Sequence, residues 1–327
     1  MTSFIIRRFL HTIPLLFVIS VAVFAIITLP PGDYITMRAA ELERLGSLRA
    51  LDELAGLKVR YGLDQPLYVQ YWRWISRFVI GDFGESFAYN MPVAKLIGQN
   101  MLLTVVLSLT TMLFAWCVAI PIGVYSATHQ YSAGDQFFTL LSFTGLATPS
   151  FLLALILMVI SVYVFETPIS GLFSPGMETA PWSLAKVVDL GKHLWLPIIL
   201  VGMSSTASLV RVMRGNLLDV LGQQYVMSAR GRGLTEGTVR WKHAVRMAIN
   251  PLISMLGMSF PNIISGSVII SIVLSLPTSG PLLYRALRVQ DMYLAGSFLM
   301  LLSVMLIAGN FLADLALAWA DPRITYE

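Results

Sequence analysis

The segment QQYVMSARGRGLTEGTVRWKHAVRMAINP, Gln223–Pro251, is a long basic stretch that lies between two apolar runs of the chain. We name it the basic loop. Its pattern predicts two short helices joined by a glycine turn. The first helix is expected to end at Arg230, because the following Gly231 and Gly233 adopt a left-handed backbone at low cost. Thr235 is predicted to cap the second helix.

The charge of this region is strongly one-sided. Between Arg211 and Arg246 there are seven basic side chains and two acidic ones. The basic residues are Arg211, Arg214, Arg230, Arg232, Arg240, Lys242 and Arg246, and the acidic ones are Asp219 and Glu236. A short basic connection between two spans is expected on the cytoplasmic side of a membrane. Topology explains the charge but not the spacing of the small, aliphatic and histidine residues within the loop.

The composition predicts an all-α membrane protein. Of the 327 residues, 56% are apolar and 12% are charged, which is typical of a membrane protein rather than a soluble domain. The net charge of +4 is concentrated in one loop, so no nucleic-acid partner is predicted. Cys117 is the only cysteine, which excludes an intrachain disulfide and a cysteine metal cluster.

Six apolar runs predict six transmembrane helices. They cover residues 9–29, 101–127, 137–165, 194–210, 252–276 and 295–318. The first run is long enough to cross a hydrocarbon layer of about 30 Å at about 1.5 Å per residue, and we favour a retained span over a cleaved signal peptide. Six spans place both termini, with Arg7, Arg8 and Arg323, on the cytoplasmic side together with the basic loop.

These runs predict three regions. Residues 1–29 form the N-terminal cytoplasmic end and the first helix, and residues 30–100 form an external soluble insertion. Residues 101–327 form the core, with five helices and a cytoplasmic loop at 211–250. Within the insertion, the aromatic residues Tyr71, Trp72, Trp74 and Phe78 are typical of an interfacial belt, with a solute-stacking surface as the alternative.

Polar residues and a proline mark a possible translocation path. Ser259, Asn262 and Ser265 lie three residues apart, roughly on one face of the predicted fifth helix. Such a stripe faces either a partner helix or a water-filled route. Pro149 is predicted to bend the third helix, and this bend serves either the path or simple packing.

The basic loop resembles the cytoplasmic loop of permease subunits of ATP-binding-cassette (ABC) importers, which has an E-A-A-x-x-x-G core. The form found in the dipeptide, oligopeptide and nickel permease family reads A-R-A-K-G-L, then H-A-x-R-N-A and a proline. The matching residues are Ala229, Arg230, Gly233, Leu234, His243, Ala244, Arg246, Ala248 and Pro251. The departures are Gly231 for alanine, Arg232 for lysine, Met247 for asparagine, and Met227 and Ser228 for the Glu and Ala of the general motif. These departures leave open how tightly the loop docks.

The resemblance extends beyond the loop. The segments GLDQPLYVQYWRWI (Gly62–Ile75), GDFGESF (Gly81–Phe87) and PVAKLI (Pro92–Ile97) are similar to the region that follows the first span in the same family. The chain carries extra residues around Arg38 to Lys58 compared with the commoner peptide-type pattern. Because of this longer insertion, import of small oligosaccharides is the alternative interpretation of the solute.

The resemblance implies a type I ABC importer permease fold with a small external domain between the first and second helices. It implies a permease subunit that takes up a peptide-like solute across the bacterial cytoplasmic membrane, driven by ATPase subunits. The residues expected to couple the chain to the ATPase are Gln224, Tyr225, Ala229, Arg230, Gly233, Leu234, His243, Ala244 and Arg246. The implied partners are a second homologous permease, two ATPase subunits, an external solute-binding protein and membrane lipid.

No catalytic or cofactor motif is present in the sequence. The Gly191-Lys192 pair is followed by His193 and lacks the pattern of a phosphate-binding loop, so ATP and Mg²⁺ are expected in the partner subunits. The four histidines are scattered without metal-ligand spacing. We therefore predict that the chain is not an enzyme. A stand-alone carrier or channel is the remaining alternative, but a carrier of that class would need ionisable groups within broken helices.

Overall fold

The computed structural model of this protein describes residues 2–30, 62–165, 170–258 and 268–320, with isolated positions 32, 34, 38, 39 and 56. Most of these residues are helical. An apolar chain in lipid must satisfy its backbone hydrogen bonds within each segment, which favours helices. The predicted all-α membrane fold is confirmed.

The helices are numbered along the described chain. They are α1 (Thr2–Thr28), α2 (Leu67–Val79), α3 (Val93–Thr128), α4 (Ala133–Ala147), α5 (Ser150–Phe165), α6 (Leu184–Leu221), α7 (Gln224–Gly231), α8 (Glu236–Thr238), α9 (Arg246–Ala248), α10 (Asn250–Met258), α11 (Val268–Val273), α12 (Ser279–Arg288) and α13 (Met292–Ala320). A π-helix, Val239–Val245, joins α8 to α9. The strands β1 (Glu85–Ser86) and β2 (Met91–Pro92) pair antiparallel, with Ser86 opposite Met91.

Within the described ranges, four helices are long and apolar enough to cross a membrane. They are the Leu10–Thr28 part of α1, α3, α6 and the Met292–Phe311 part of α13. A fifth span results if α4 and α5 form one bent crossing. The predicted number of six is not confirmed, because the predicted fifth span includes residues 259–267, which lie outside the described residues.

The predicted bend at Pro149 is confirmed, and it is sharper than a kink. The axes of α4 and α5 differ by 97° across a short break. Thr148 has an extended backbone with ψ of 122°, as expected for a residue that precedes a proline. The third apolar run therefore consists of two helices rather than one continuous helix.

The chain divides into two compact units. The first comprises the described residues within Met1–Leu103 and Thr278–Phe311, and the second comprises those within Thr104–Pro277 and Leu312–Asp321. The basic loop belongs to the second unit. Much of the predicted external insertion, including most of the extra residues around Arg38 to Lys58, lies outside the described residues.

Helix α6 is longer at both ends than the predicted span 194–210. Its start is capped by Ser183, whose Oγ accepts a hydrogen bond of 3.3 Å from the backbone N–H of Lys186. Its other end continues to Leu221 because Met213 and Leu217 are fully buried there. The first part of the predicted loop 211–250 is therefore the last three turns of a spanning helix.

Candidate functional site

The basic loop has the predicted helix, turn and helix. α7 ends at Gly231, one residue beyond the prediction, and the chain turns at Gly233, whose φ is +77°. The N–H of Gly233 donates to the carbonyl oxygen of Arg230 at 2.9 Å. Glycine suits this position because other residues pay a steric cost for a positive φ. Thr235 caps α8 as predicted, with its Oγ1 3.4 Å from the N–H of Thr238.

An ion pair closes the turn on its outer side. Arg230 Nε lies 2.9 Å from Glu236 Oε1, and Arg230 Nη2 lies 3.5 Å from Glu236 Oε2. Both side chains are exposed, and exposed pairs contribute only about 0–1 kcal/mol. The pair therefore aligns the two helices but does little to hold them together.

The second part of the loop contains a feature that the sequence did not predict. Val239–Val245 forms a π-helix between α8 and α9. π-helices are rare and often occur at functional sites. The composition of this segment does not distinguish it from an α-helix. Its residues Val239, Ala244 and Val245 are buried.

The inner face of the basic loop is packed against two long helices. Val226, Ala229, Val239, Ala244 and Ala248 are all at most 6% exposed. They share one hydrophobic cluster with residues of α3 and α6, namely Ala115, Ala119, Val124, Ala127, Leu209, Val210, Met213 and Leu217. Close packing of this kind transmits displacement rather than absorbing it. The loop is therefore a packed extension of α3 and α6.

A glycine allows α3 and α6 to approach closely beneath this cluster. A Cβ atom placed on Gly123 would lie 2.7 Å from Cβ of Met213 and 3.2 Å from the carbonyl oxygen of Val210. Any larger residue would force the two helices apart. Gly123 thus fixes the distance between the helices that support the basic loop.

The predicted loop residues differ in their exposure to solvent. Gln224, Tyr225, Arg230, Gly233, Leu234 and Arg246 are exposed, His243 is half-buried, and Ala229 and Ala244 are buried. The exposed face also contains Met227, Trp241 and Met247, which the motif comparison did not select. These three residues could have been selected from the sequence, because they are large apolar side chains within a basic segment. This combination is enriched at protein interfaces.

A second polar contact, also missed from the sequence, joins α4 to α6. Arg214 Nε and Nη2 donate to the two carboxylate oxygens of Asp135, each at 2.8 Å. Asp135 also accepts a hydrogen bond of 3.0 Å from the N–H of Tyr131. These contacts tie the start of α4 to the extended end of α6, next to the basic loop.

Of the four candidate path residues, only Pro149 lies within the part of the chain that the structure describes. Pro149 lies at the elbow of α4 and α5, beside an open cavity of about 260 Å³ that is lined mainly by apolar side chains, including Thr148, Leu153 and Met203. Thr206 Oγ1, on the cavity wall, is buried and has no hydrogen-bond partner among the described residues. Ser259, Asn262 and Ser265 lie outside the described residues.

Comparison with known proteins assigns this fold and loop to a family. The profile described as "Binding-protein-dependent transport system inner membrane component" matches residues 119–326, which include the whole basic loop. The N-terminal profile of the same kind of component matches residues 1–110. The chain belongs to this family of inner membrane components.

The relatives that this inner membrane component matches are permeases, and each match covers the whole of both chains. The chain is 35% identical to the oligopeptide transport system permease protein AppB of Bacillus subtilis (strain 168) over 329 residues, with 100% of both chains covered. It is 30% identical to the glutathione transport system permease protein GsiC of Escherichia coli (strain K12) and of Salmonella paratyphi A, over 327 residues with 100% coverage. The resemblance to peptide-type permeases is confirmed, as is the multi-pass membrane nature of the chain.

Proposed function

We propose that this chain is the permease subunit of an ABC importer that moves a peptide-like solute across the membrane. The observation that carries the proposal is the full-length match to the inner membrane component family, together with relatives named for oligopeptide and glutathione transport. Glutathione and oligopeptides are both built from amide-linked amino acids. The solute of this chain is therefore placed in the same chemical class.

The basic loop is the proposed docking element for the ATPase. Its exposed face combines apolar side chains (Tyr225, Met227 and Trp241) with the charged Arg230 and Arg246. Aromatic, methionine and arginine side chains are enriched where proteins bind one another. α7 and the turn at Gly233 are expected to enter a cleft on the ATPase, and α8 with the π-helix supports them from behind.

Packing supplies a route for coupling. Ala229 and Ala244 fix the inner face of the loop to α3 and α6, and Gly123 holds these helices close together. Closure of the nucleotide-bound ATPase dimer is then expected to displace the loop and tilt α6 with it. A loop without a packed inner face would absorb this displacement.

The partners follow from the same proposal. Two ATPase subunits bind ATP and Mg²⁺, a second homologous permease completes the membrane part as a heterodimer, and an external binding protein delivers the solute. The chain itself hydrolyses no ATP. Both termini lie in the cytoplasm, and residues 30–100 and 166–183 face the outside of the bacterial inner membrane.

The proposed path for the solute runs past Pro149 and the polar stripe of Ser259, Asn262 and Ser265. The cavity beside Pro149 is mainly apolar, so it suits the packing of helices better than a polar solute. We therefore assign contact with the solute to Ser259, Asn262 and Ser265. The bend at Pro149 is proposed as a hinge between α4 and α5 beside the path.

Co-purification from the native organism tests the partners. The tagged chain is extracted in mild detergent and the bound proteins are identified by mass spectrometry. Two ATPases and a second permease are the expected result. Purification of the chain alone, together with solute transport by that chain in liposomes without ATP, would overturn the proposal in favour of a carrier or channel.

A pair of glycine variants tests the docking element. Gly233→Asp places a side chain at a residue with positive φ, whereas Gly237→Asp places the same side chain at a helical residue whose surroundings are open. We expect the first variant to abolish ATP-driven uptake at normal membrane abundance and the second to retain most of it. Normal uptake by Gly233→Asp would exclude the proposed role of the basic loop in docking and coupling.

A further inference from the structure

Helix α2 has three distinct faces. One packs inward through Tyr71, Trp74 and Phe78, of which Trp74 is only 2% exposed. A second is polar and comprises Gln70, Arg73, Ser76 and Arg77. The third comprises Tyr68, Trp72, Ile75 and Val79, spaced at i, i+4, i+7 and i+11 and therefore on one side of the helix. We name this third face the outer stripe.

The inward face of α2 contacts the last turns of α1. The hydroxyl groups of Tyr71 and Ser20 lie 2.8 Å apart, and the ring of Phe24 lies 5.4 Å from that of Tyr71 and 6.2 Å from that of Trp74. α1 is apolar enough to span the membrane and ends at Thr28. Ser20 lies about 12 Å along the helix from that end, at about 1.5 Å per residue.

The same face of α2 contacts the first turns of α13. Trp74 covers Gly296, where a Cβ atom would lie 3.1 Å from the indole ring. The hydroxyl of Ser297 donates to the carbonyl oxygen of Phe83, just beyond α2, at 3.4 Å. Gly296 lies about 6 Å inside the start of α13, at about 1.5 Å per residue. Both spans thus contact side chains of α2 within about 12 Å of their nearer ends, which places α2 on the side of the membrane where α1 ends and α13 begins.

The outer stripe is apolar, and three of its four side chains are exposed while Ile75 is half-buried. Tyr68, Trp72 and Val79 are 75%, 69% and 77% exposed. Tyrosine and tryptophan favour the boundary between headgroups and acyl chains, and arginine side chains favour the headgroup layer above it. α2 therefore has an apolar stripe on one side and arginines on the other, as an amphipathic helix that lies in a membrane surface does.

We propose that α2 lies in the plane of the membrane surface, with the outer stripe inserted among the lipids of the leaflet at which α1 ends. Arg73 and Arg77 then face the headgroups and water. α2 is thereby a lipid-binding element of the region between the first and second spans. This inference rests on the membrane-spanning fold and does not depend on which solute the permease carries.

Site-directed labelling tests the proposal in the complete transporter. Cys117 is the only cysteine of this chain, so Cys117→Ser gives a chain without thiols, and the signal of the labelled Cys117→Ser complex is subtracted to remove any label on the partner subunits. Trp72→Cys and Val79→Cys place single thiols on the outer stripe, and Arg77→Cys, at an exposed position on the opposite, polar side of the same helix, is the matched control. Each variant, with its co-purifying subunits, is labelled with an environment-sensitive fluorophore in vesicles of phosphatidylethanolamine and phosphatidylglycerol.

Two quenchers separate the possible surroundings. A phospholipid with a nitroxide on its acyl chain should quench the labels at positions 72 and 79 at least about twofold more than the label at 77, as expected for a helix half-inserted in lipid. Iodide in the water should show the opposite order. Quenching of positions 72 and 79 by iodide alone would place the stripe in water. Protection of these positions from both quenchers would place it under a protein subunit. Either result would overturn the proposal.

Discussion

Arg214 binds Asp135 through two hydrogen bonds of 2.8 Å, between residues that are 79 positions apart in the chain. The Asp135 side chain is 3% exposed and the Arg214 side chain is 26% exposed. Two parallel bonds between a guanidinium and a carboxylate are stronger and more directional than a single ion pair. This contact fixes the start of α4 on α6, close to the basic loop.

Removal of one partner should destabilise the second unit. Arg214→Met leaves a buried carboxylate without its cation, and we expect a loss of about 3–5 kcal/mol. The matched control is Arg230→Met, which breaks the exposed pair with Glu236 and should cost less than about 1 kcal/mol. Thermal unfolding of the purified chains in detergent measures both. Equal melting temperatures for the two variants would contradict the structural role of the Asp135 pair.

The buried inner face of the basic loop should tolerate little extra volume. Ala244 is fully buried, so Ala244→Leu should overpack the cluster with α3 and α6 at a cost of about 1–3 kcal/mol. Met247→Leu introduces the same side chain at an exposed position three residues away and should have little effect. Hydrogen exchange across residues 223–251 should rise only in the first variant. Unchanged protection in Ala244→Leu would show that the loop is not anchored through this residue.

Lys186 should order the connection between α5 and α6. Its buried ammonium group donates to the carbonyl oxygens of Glu178 and Ala180 at 2.9 and 2.7 Å, and it lies 4.9 Å from the ring centroid of Phe173. Lys186→Met removes both hydrogen bonds, and each carbonyl left unsatisfied costs about 1–3 kcal/mol. Limited proteolysis within residues 170–183 should become faster. Lys192→Met, at an exposed site in the same helix, is the control and should cleave at the original rate.

Asp291 should make the stability of the first unit depend on pH. Burial raises the pKa of its carboxyl group, while hydrogen bonds from Ser86 and from the N–H groups of Ala88 and Leu294 oppose the shift. The folded state therefore holds this proton more tightly than the unfolded state. The resulting stability is present below the ordinary value of 3.8 and is lost as the pH rises through the raised folded pKa.

Asp291→Asn should flatten this dependence, because asparagine keeps the shape of the side chain without a titrating group. Asp82→Asn changes an exposed carboxylate and should leave the slope unchanged. The free energy of unfolding of each variant, measured in detergent from pH 4 upward, tests the sign. A wild-type stability that increases with pH over this range, and does so equally in Asp291→Asn, would contradict the assignment.

Several features of the fold follow from local chemistry and were predicted from the sequence. The apolar runs predicted spanning helices, Pro149 predicted the bend between α4 and α5, and Thr235 predicted the cap of α8. Gly233 predicted the turn. Each of these depends on backbone preferences or on hydrophobicity within a few residues, so no distant part of the chain was needed. The family resemblance was likewise local, because it rests on short segments, namely the basic loop and the segments between Gly62 and Ile97.

Other features depend on which helices meet. Residues of one motif separate into a buried set, which includes Ala229, Ala244 and Ala248, and an exposed set, because α3 and α6 cover only one side of the basic loop. The pairing of Arg214 with Asp135 also requires α6 to continue past Val210. Hydropathy alone did not predict this continuation, because the charged residues after Val210 lower the hydropathy to that of a loop.

The sequence by itself thus determined the membrane class of this protein, the presence of several apolar spanning helices, its glycine turn and its family. The tertiary structure decided which loop residues face a partner, which charges pair across the chain, and that α2 has an inner and an outer apolar face. The physical reason is that propensity and hydrophobicity act over a few neighbouring residues, whereas burial and ion pairing depend on contacts between segments far apart in the chain.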